Sequence, residues 1–188
     1  MPSKKNEMVQ LEDLRVMHQK VMDFTFNCDN KASFLGAVIG VLITAIASAT
    51  PFWEIIKKLK QSGIVYFEGG ESVVFDRLSF SCGLCLSIGV IAILVALFAI
   101  FFVLKARLKT THANSLIFFG SIANTKEEDY KTSIEGYDEN KQKEDYIRQI
   151  HICSQICTKK FKAYNVAVVS SIVSLIAFSL FVIISIFL

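Results

Sequence analysis

The residues of this chain that could do acid–base or hydrolytic chemistry are His112, His151 and the acidic run Glu127, Glu128 and Asp129. No nucleophile, base and orienting group stand at a recognisable spacing around them. The three acids fall where a helix should begin, and carboxylates there favour the positive end of the helix dipole. An enzyme is therefore not expected. Cys82 and Cys85 make a C-x-x-C pair, but redox chemistry of the thioredoxin kind needs a strand-to-helix context that an apolar segment lacks. On a helix, Cys153 and Cys157 share a face while His151 points elsewhere. No second ligand pair completes a zinc set, so packing is the expected role and no metal is expected. With Cys28, these cysteines form no secreted disulfide framework and should be reduced.

The elements that must carry these residues are dominated by three apolar runs, Ala32 to Trp53, Phe80 to Leu104 and Asn165 to Leu188, each free of Asp, Glu, Lys, Arg and His. Each reaches the roughly 20 residues that a helix needs to cross a hydrocarbon layer. Apolar residues make up 53% of the chain, and the charged residues are confined to the segments between the runs. The expected fold is an all-α membrane protein: three transmembrane helices, an N-terminal amphipathic helix and a small helical cytoplasmic segment. Its divisions are a cytoplasmic amphipathic helix over 1–31, transmembrane helices over 32–53, 80–104 and 165–188, an outer loop over 54–79 and a helical cytoplasmic segment over 105–164. A cleavable signal peptide is not expected, because the first apolar run follows a charged segment.

The net charge of +3 does not call for a nucleic-acid partner, since most of the excess basic residues flank the membrane segments. Lys20, Lys31, Lys105, Arg107, Lys109, Lys159, Lys160 and Lys162 near helix ends on one face outnumber Lys57, Lys58, Lys60 and Arg77 on the other. The positive-inside rule then places the N-terminus and the segment 105–164 in the cytoplasm. No ionisable residue lies within the three runs, which argues against a proton relay or a charge-selective carrier. A pore lined by small, hydroxylic and apolar groups remains open.

In the first apolar run, Gly36, Gly40, Thr44 and Ser48 continue a four-residue stripe from Ala32. Such small residues let helix backbones approach closely in lipid, so the stripe marks a packing face, either within the protomer or between subunits of a homo-oligomer. Ser170, Ser171, Ser174, Ser179 and Ser185 in the third run can bond back to their own helix. Upstream, Leu11, Leu14, Val21 and Cys28 recur at helical spacing as one face of the amphipathic helix. The outer loop, with Ile64 to Phe67 and Val73 to Phe75 around Gly69 and Gly70, reads as a hairpin. In the cytoplasmic segment, Phe118, Phe119 and Gly120 form a structural corner at which Gly permits close approach. Thr125 and Glu128 stand at capping-box spacing, predicting a helix start near Lys126. Tyr146, Ile147, Ile150, Ser154, Cys157 and Phe161 mark a second amphipathic helix that can continue into the last apolar run.

The stretch Asn114-Ser-Leu-Ile-Phe-Phe-Gly-Ser-Ile-Ala123, with Glu127-Glu-Asp-Tyr130, Lys160-Phe-Lys-Ala-Tyr164 and Asp29-Asn-Lys31-Ala-Ser33, resembles the Pycsar membrane-effector family. The resemblance runs over most of the chain in order and spacing. It implies a bacterial antiphage defence effector of the inner membrane. Such an effector responds to cyclic CMP or cyclic UMP made by a partner pyrimidine nucleotide cyclase, and impairs the membrane when activated. For direct binding of that ligand, its phosphate needs cations or backbone N–H groups. The candidates are Lys105, Arg107, Lys109, Asn114, Ser115 and Thr125. Asp29 and Lys31, at the mouth of the first membrane helix, are candidates for a gating latch. A competing expectation is an accessory or scaffold protein that modulates another defence complex without a pore.

Overall fold

A computed structural model describes residues 9–48, 53–54, 56–57, 77–105 and 115–187. Five helices follow one another: α1 (Leu11–Ser48), α2 (Arg77–Leu104), α3 (Phe119–Ala123), α4 (Glu127–Glu135) and α5 (Glu139–Ser185). No strand occurs among the described residues. Three of the helices, α1, α2 and α5, are long and apolar enough to cross a membrane, so the all-α membrane architecture is observed. The expected hairpin at 64–75 lies outside the described residues. The chain divides into an apolar unit, residues 30–104 with 162–188, and a polar unit, residues 1–29 with 105–161.

In the apolar unit, the 25 residues of Phe80–Leu104 rise about 37 Å at about 1.5 Å per residue, enough for a hydrocarbon core of about 30 Å. Along α2 the buried positions are mostly small and recur every seven residues, Cys82, Gly89, Ala96 and Val103, with Ala92, Ala99 and the larger Ile100 between them. That recurrence belongs to helices that run nearly alongside one another, and small side chains are what close approach in lipid requires. Ile39 of α1 and Ala167 of α5 meet Ala96, Ala99 and Ile100 of α2 in one cluster, flanked by Leu35 and Ile93. Gly89 is a tight approach: a Cβ there would stand 3.0–3.2 Å from the ring of Phe178. The Ser174 hydroxyl donates to the Gly89 carbonyl at 3.1 Å. Many of the large side chains point outward instead, with Leu94, Phe98, Val169 and Leu175 exposed, as a lipid-facing surface requires.

In the polar unit, the first part of α1 buries Leu14 and Cys28 and half-buries Leu11, His18, Val21 and Thr25. These positions alternate at three and four residues, the spacing of a single helix face. On α5, Asp145, Gln149 and Lys160 are buried, with Ile152 and Ile156 half-buried between them. Ile147, expected on the packed face, is exposed. The packed face of α5 is thus rotated from the most apolar one, because polar partners on other segments hold Asp145 and Lys160.

Candidate functional site

The α4–α5 junction and the segment before α3 build a polar site around one carboxylate. Chain reversal after α4 passes through Gly136, and the Tyr137 N–H donates to the Ile134 carbonyl. Asp138 then caps α5, its Oδ1 accepting the Lys141 N–H at 2.8 Å. Two turns on, Asp145 is 6% exposed. Its Oδ2 accepts from the Ser115 hydroxyl at 3.0 Å, the Leu116 N–H at 3.0 Å and the Tyr137 hydroxyl at 2.9 Å. Ser115 Oγ in turn accepts the Phe118 N–H at 3.1 Å, and the Tyr130 hydroxyl donates to the Leu116 carbonyl at 3.2 Å. One carboxylate oxygen of α5 therefore holds the 115–118 segment and the α4–α5 junction together, and Tyr130 adds the bond from α4. Burial, then the hydrogen bond to Asp145, push the Tyr137 phenol above its ordinary pKa. The other oxygen, Asp145 Oδ1, is buried with no hydrogen-bond partner.

Beside this cluster opens a cavity of about 390 Å³, whose wall includes Thr132 and Ser133 of α4 and Lys141, Glu144, Asp145 and Arg148 of α5. The four α5 residues lie at i, i+3, i+4 and i+7, on one helix face. Thr132 and Ser133 donate their hydroxyl protons to the Glu128 and Asp129 carbonyls, which leaves oxygen lone pairs for a guest. Such a wall presents polar and charged groups to the cavity; no nucleophile and base are brought together in it. His18 of α1 stacks edge-on against Tyr146 at 5.8 Å. Burial holds its pKa below the ordinary imidazole value, an effect that the charge of Asp145 partly offsets.

The expected ligand residues are arranged differently. Arg107, Lys109 and Asn114 lie outside the described residues, and Lys105 is exposed at the end of α2. Ser115 is buried and engaged with Asp145. The Thr125 hydroxyl donates to the Ser121 carbonyl at 2.9 Å, so the expected capping box with Glu128 does not form. Helix α4 starts at Glu127 with Lys126 in the extended cap position and no side-chain cap bond, which leaves Thr125 one residue too early to cap. Its hydroxyl is taken by the last turn of α3.

Asp29 does not pair with Lys31. Two residues apart on one continuous helix, the two side chains cannot face each other, and Lys31 is exposed. The Asp29 carboxylate instead accepts both bonds from Lys160 Nζ, at 2.6 and 2.7 Å, with the Lys160 side chain 9% exposed. At the corner, a Cβ on Gly120 would stand 2.5 Å from the Phe118 ring, and Phe118 lies 4.8 Å from Phe119. Along the stripe, Gly36 faces Ile100, whose side chain would lie 3.6 Å from a Cβ there, whereas Gly40 has nothing within 4 Å. The Thr44 and Ser48 hydroxyls bond back to the Gly40 and Thr44 carbonyls. One end of the stripe is used within the protomer and the other is open.

Sequence reasoning passed over Asp145 and Gln149, and took Lys160 as an orientation charge and part of the family stretch rather than as a buried partner, because apolar periodicity treats polar residues as outward-facing. A signal was present: with Ile152 and Ile156 they continue one helical face.

A family model described as the Pycsar effector protein domain matches residues 13–188. The Pycsar effector protein GmPycTM of Gulbenkiania mobilis is 28% identical over 159 residues, covering 81% of each chain. No solved structure matches the chain.

Proposed function

Since the chain belongs to the Pycsar effector family, with the match reaching from residue 13 to 188 through both helical units, we propose that it is an effector that oligomerises in the bacterial inner membrane and impairs membrane integrity as a pore. It acts in antiphage defence, as an effector rather than an enzyme. The trigger in this reading is cyclic CMP or cyclic UMP supplied by a partner pyrimidine nucleotide cyclase. The N-terminus and the polar unit face the cytoplasm, where such a ligand would be made, in keeping with the excess of Lys and Arg on that side.

The observation that carries the reading is the reach of the family match over all three apolar helices and the polar segments between them. Two of those helices, α1 and α5, are continuous from polar to apolar sequence, so a rearrangement of their polar ends has a covalent route into the membrane. A ligand drives that rearrangement only by binding one arrangement better than the other. Asp29 and Lys160, which tie α1 to α5 within the polar unit, are the latch of this scheme in place of Asp29 and Lys31. The open run Gly40, Thr44 and Ser48 is its subunit contact.

Purified protein in liposomes, assayed for ion or dye flux with cyclic CMP, cyclic UMP and, as control, cyclic AMP, tests the reading. Flux that appears with a pyrimidine cyclic nucleotide alone is expected. Constitutive flux would keep the pore but move the sensor elsewhere, and no flux under any condition would favour an accessory protein without a pore.

A further inference from the structure

We propose that the cavity beside Asp145 is a binding site for a small, singly charged phosphate ester that also offers N–H or O–H donors. Three observations carry it. First, buried polar atoms in folded proteins almost always have a partner, yet Asp145 Oδ1 is buried with none, on a side chain that forms part of the cavity wall. Oδ1 itself is closed to solvent, so a donor from outside the chain completes it only as the wall opens around the ligand. Second, Arg148 stands exposed on the same wall, and no hydrogen bond or ion pair holds its guanidinium among the described residues. An unengaged guanidinium at a cavity rim presents a fork that matches two phosphate oxygens. Third, the space of about 390 Å³ lies within the size range of small-molecule clefts.

The charge balance narrows the ligand. Lys141 and Arg148 are matched by Glu144 and Asp145 on the same wall, so an anion with no donors of its own meets as much repulsion as attraction. A monoanionic phosphodiester bearing hydroxyl or amino donors meets the guanidinium at one end and carboxylate acceptors at the other. Cyclic mononucleotides belong to that class. That the natural ligand is a pyrimidine cyclic nucleotide rests on the reading above, whereas the placement of the site rests on the cavity.

The site also explains why binding there would be felt elsewhere. Lys141, Glu144, Asp145 and Arg148 all belong to the first turns of α5, the helix that continues into apolar sequence. A ligand that bridges this face to Thr132 and Ser133 on α4 would fix the α4–α5 hairpin in one arrangement.

The test is calorimetric titration of the full-length protein in detergent with cyclic CMP and cyclic UMP, comparing wild type with Arg148→Gln and Ser133→Trp. Both positions are exposed, so the variants should fold, with melting temperatures matching wild type as the check. The expected result is binding by wild type, weakened roughly tenfold or more by Arg148→Gln, the size of one charge-assisted hydrogen bond. Ser133→Trp, which fills the cavity, should abolish it. Wild-type binding that both variants retain unchanged would overturn the site while leaving the cyclic-nucleotide reading intact. Absence of binding by folded wild type would overturn that reading, and the site with it.

Discussion

The apolar and polar units differ in how far their polar groups reach. In the apolar unit, most of the described hydroxyl bonds return to the donor's own helix, Ser87 to the Gly83 carbonyl, Ser171 to Ala167 and Ser179 to Leu175, while Ser174 reaches another helix, at Gly89. Packing there is largely a matter of size, with Gly and Ala prominent on the inside beside a few larger residues such as Ile100, Val103 and Phe181, and most Leu, Val and Phe exposed. In the polar unit, charged and hydroxylic groups reach across elements, Ser115 and Tyr137 to Asp145 and Lys160 to Asp29. The difference follows from the solvent. Lipid offers no hydrogen bonds, so a membrane helix must satisfy itself before it packs. In water, the cost of an unmade bond can be used to fix one arrangement over others. The polar unit is therefore where a small change in bonding can select a shape.

The strongest test of this contrast is Asp145→Ala. It strips the acceptor from Ser115, from the Leu116 N–H and from Tyr137. The expected cost is roughly 3–5 kcal/mol, the range for removing one partner of a buried charged network. Limited proteolysis should open the 115–137 region while the helical signal of the long apolar helices persists in circular dichroism. Equal protection of the variant and wild type would show that the polar unit does not depend on this carboxylate.

Lys160→Met comes next. It leaves the Asp29 carboxylate without its partner, but Asp29 is 32% exposed and water can recover part of the loss. A cost of roughly 1–3 kcal/mol is expected after that discount. If the pair is a latch, the variant and Asp29→Asn should both raise toxicity on overexpression without any nucleotide signal. Lower stability with unchanged basal toxicity would leave the pair a structural contact only.

The same chemical change in the two units compares them directly. Ser115→Ala removes a bond to a buried carboxylate and the acceptor for the Phe118 N–H, and should cost about 1–3 kcal/mol. Ser174→Ala removes one bond to the Gly89 carbonyl, and should cost about 0.6 kcal/mol, the mean for such bonds between membrane helices. Adding bulk should reverse the order of sensitivity. Gly89→Leu would drive its side chain into Phe178, with overpacking of about 1–3 kcal/mol. Thermal melts in one detergent order the three variants, and a Ser174→Ala loss as large as that of Ser115→Ala would collapse the distinction.

These particulars also mark what could be read in advance. The long apolar runs announce α2 and the apolar halves of α1 and α5, because length and the absence of charge are local properties. Gly120 reads as a corner for the same reason, its neighbour Phe118 being two residues away. The Asp29–Lys160 pair is not local: its members are 131 residues apart, and the nearer Lys31 is excluded only once α1 is known to be continuous. Asp145 escapes because its partners lie on a different segment, and the α2 seam because small residues carry little weight in a search for large apolar ones.

The smallest expected effect is one of pH, and it should fall on the polar unit. His18 packs on Tyr146, and burial lowers its pKa while Asp145 resists the shift. In the unfolded chain the imidazole takes up a proton near pH 6.5, and in the folded protein it does so lower. Between the two, the unfolded chain holds more protons, so stability rises with pH across that window and is lost as pH falls through it. Tyr137 acts at the other end: its raised pKa means that the unfolded chain loses its proton first above about pH 10, and stability falls as pH rises. Melting temperature measured from pH 7.5 to 5.5 should decline, and His18→Gln should flatten that decline while leaving the alkaline limb unchanged. An acid limb that survives the substitution would assign the proton uptake to another group. One that also appears as loss of helicity in the apolar helices would mean that the two units do not respond separately to the solvent, against the contrast drawn from their hydrogen bonds.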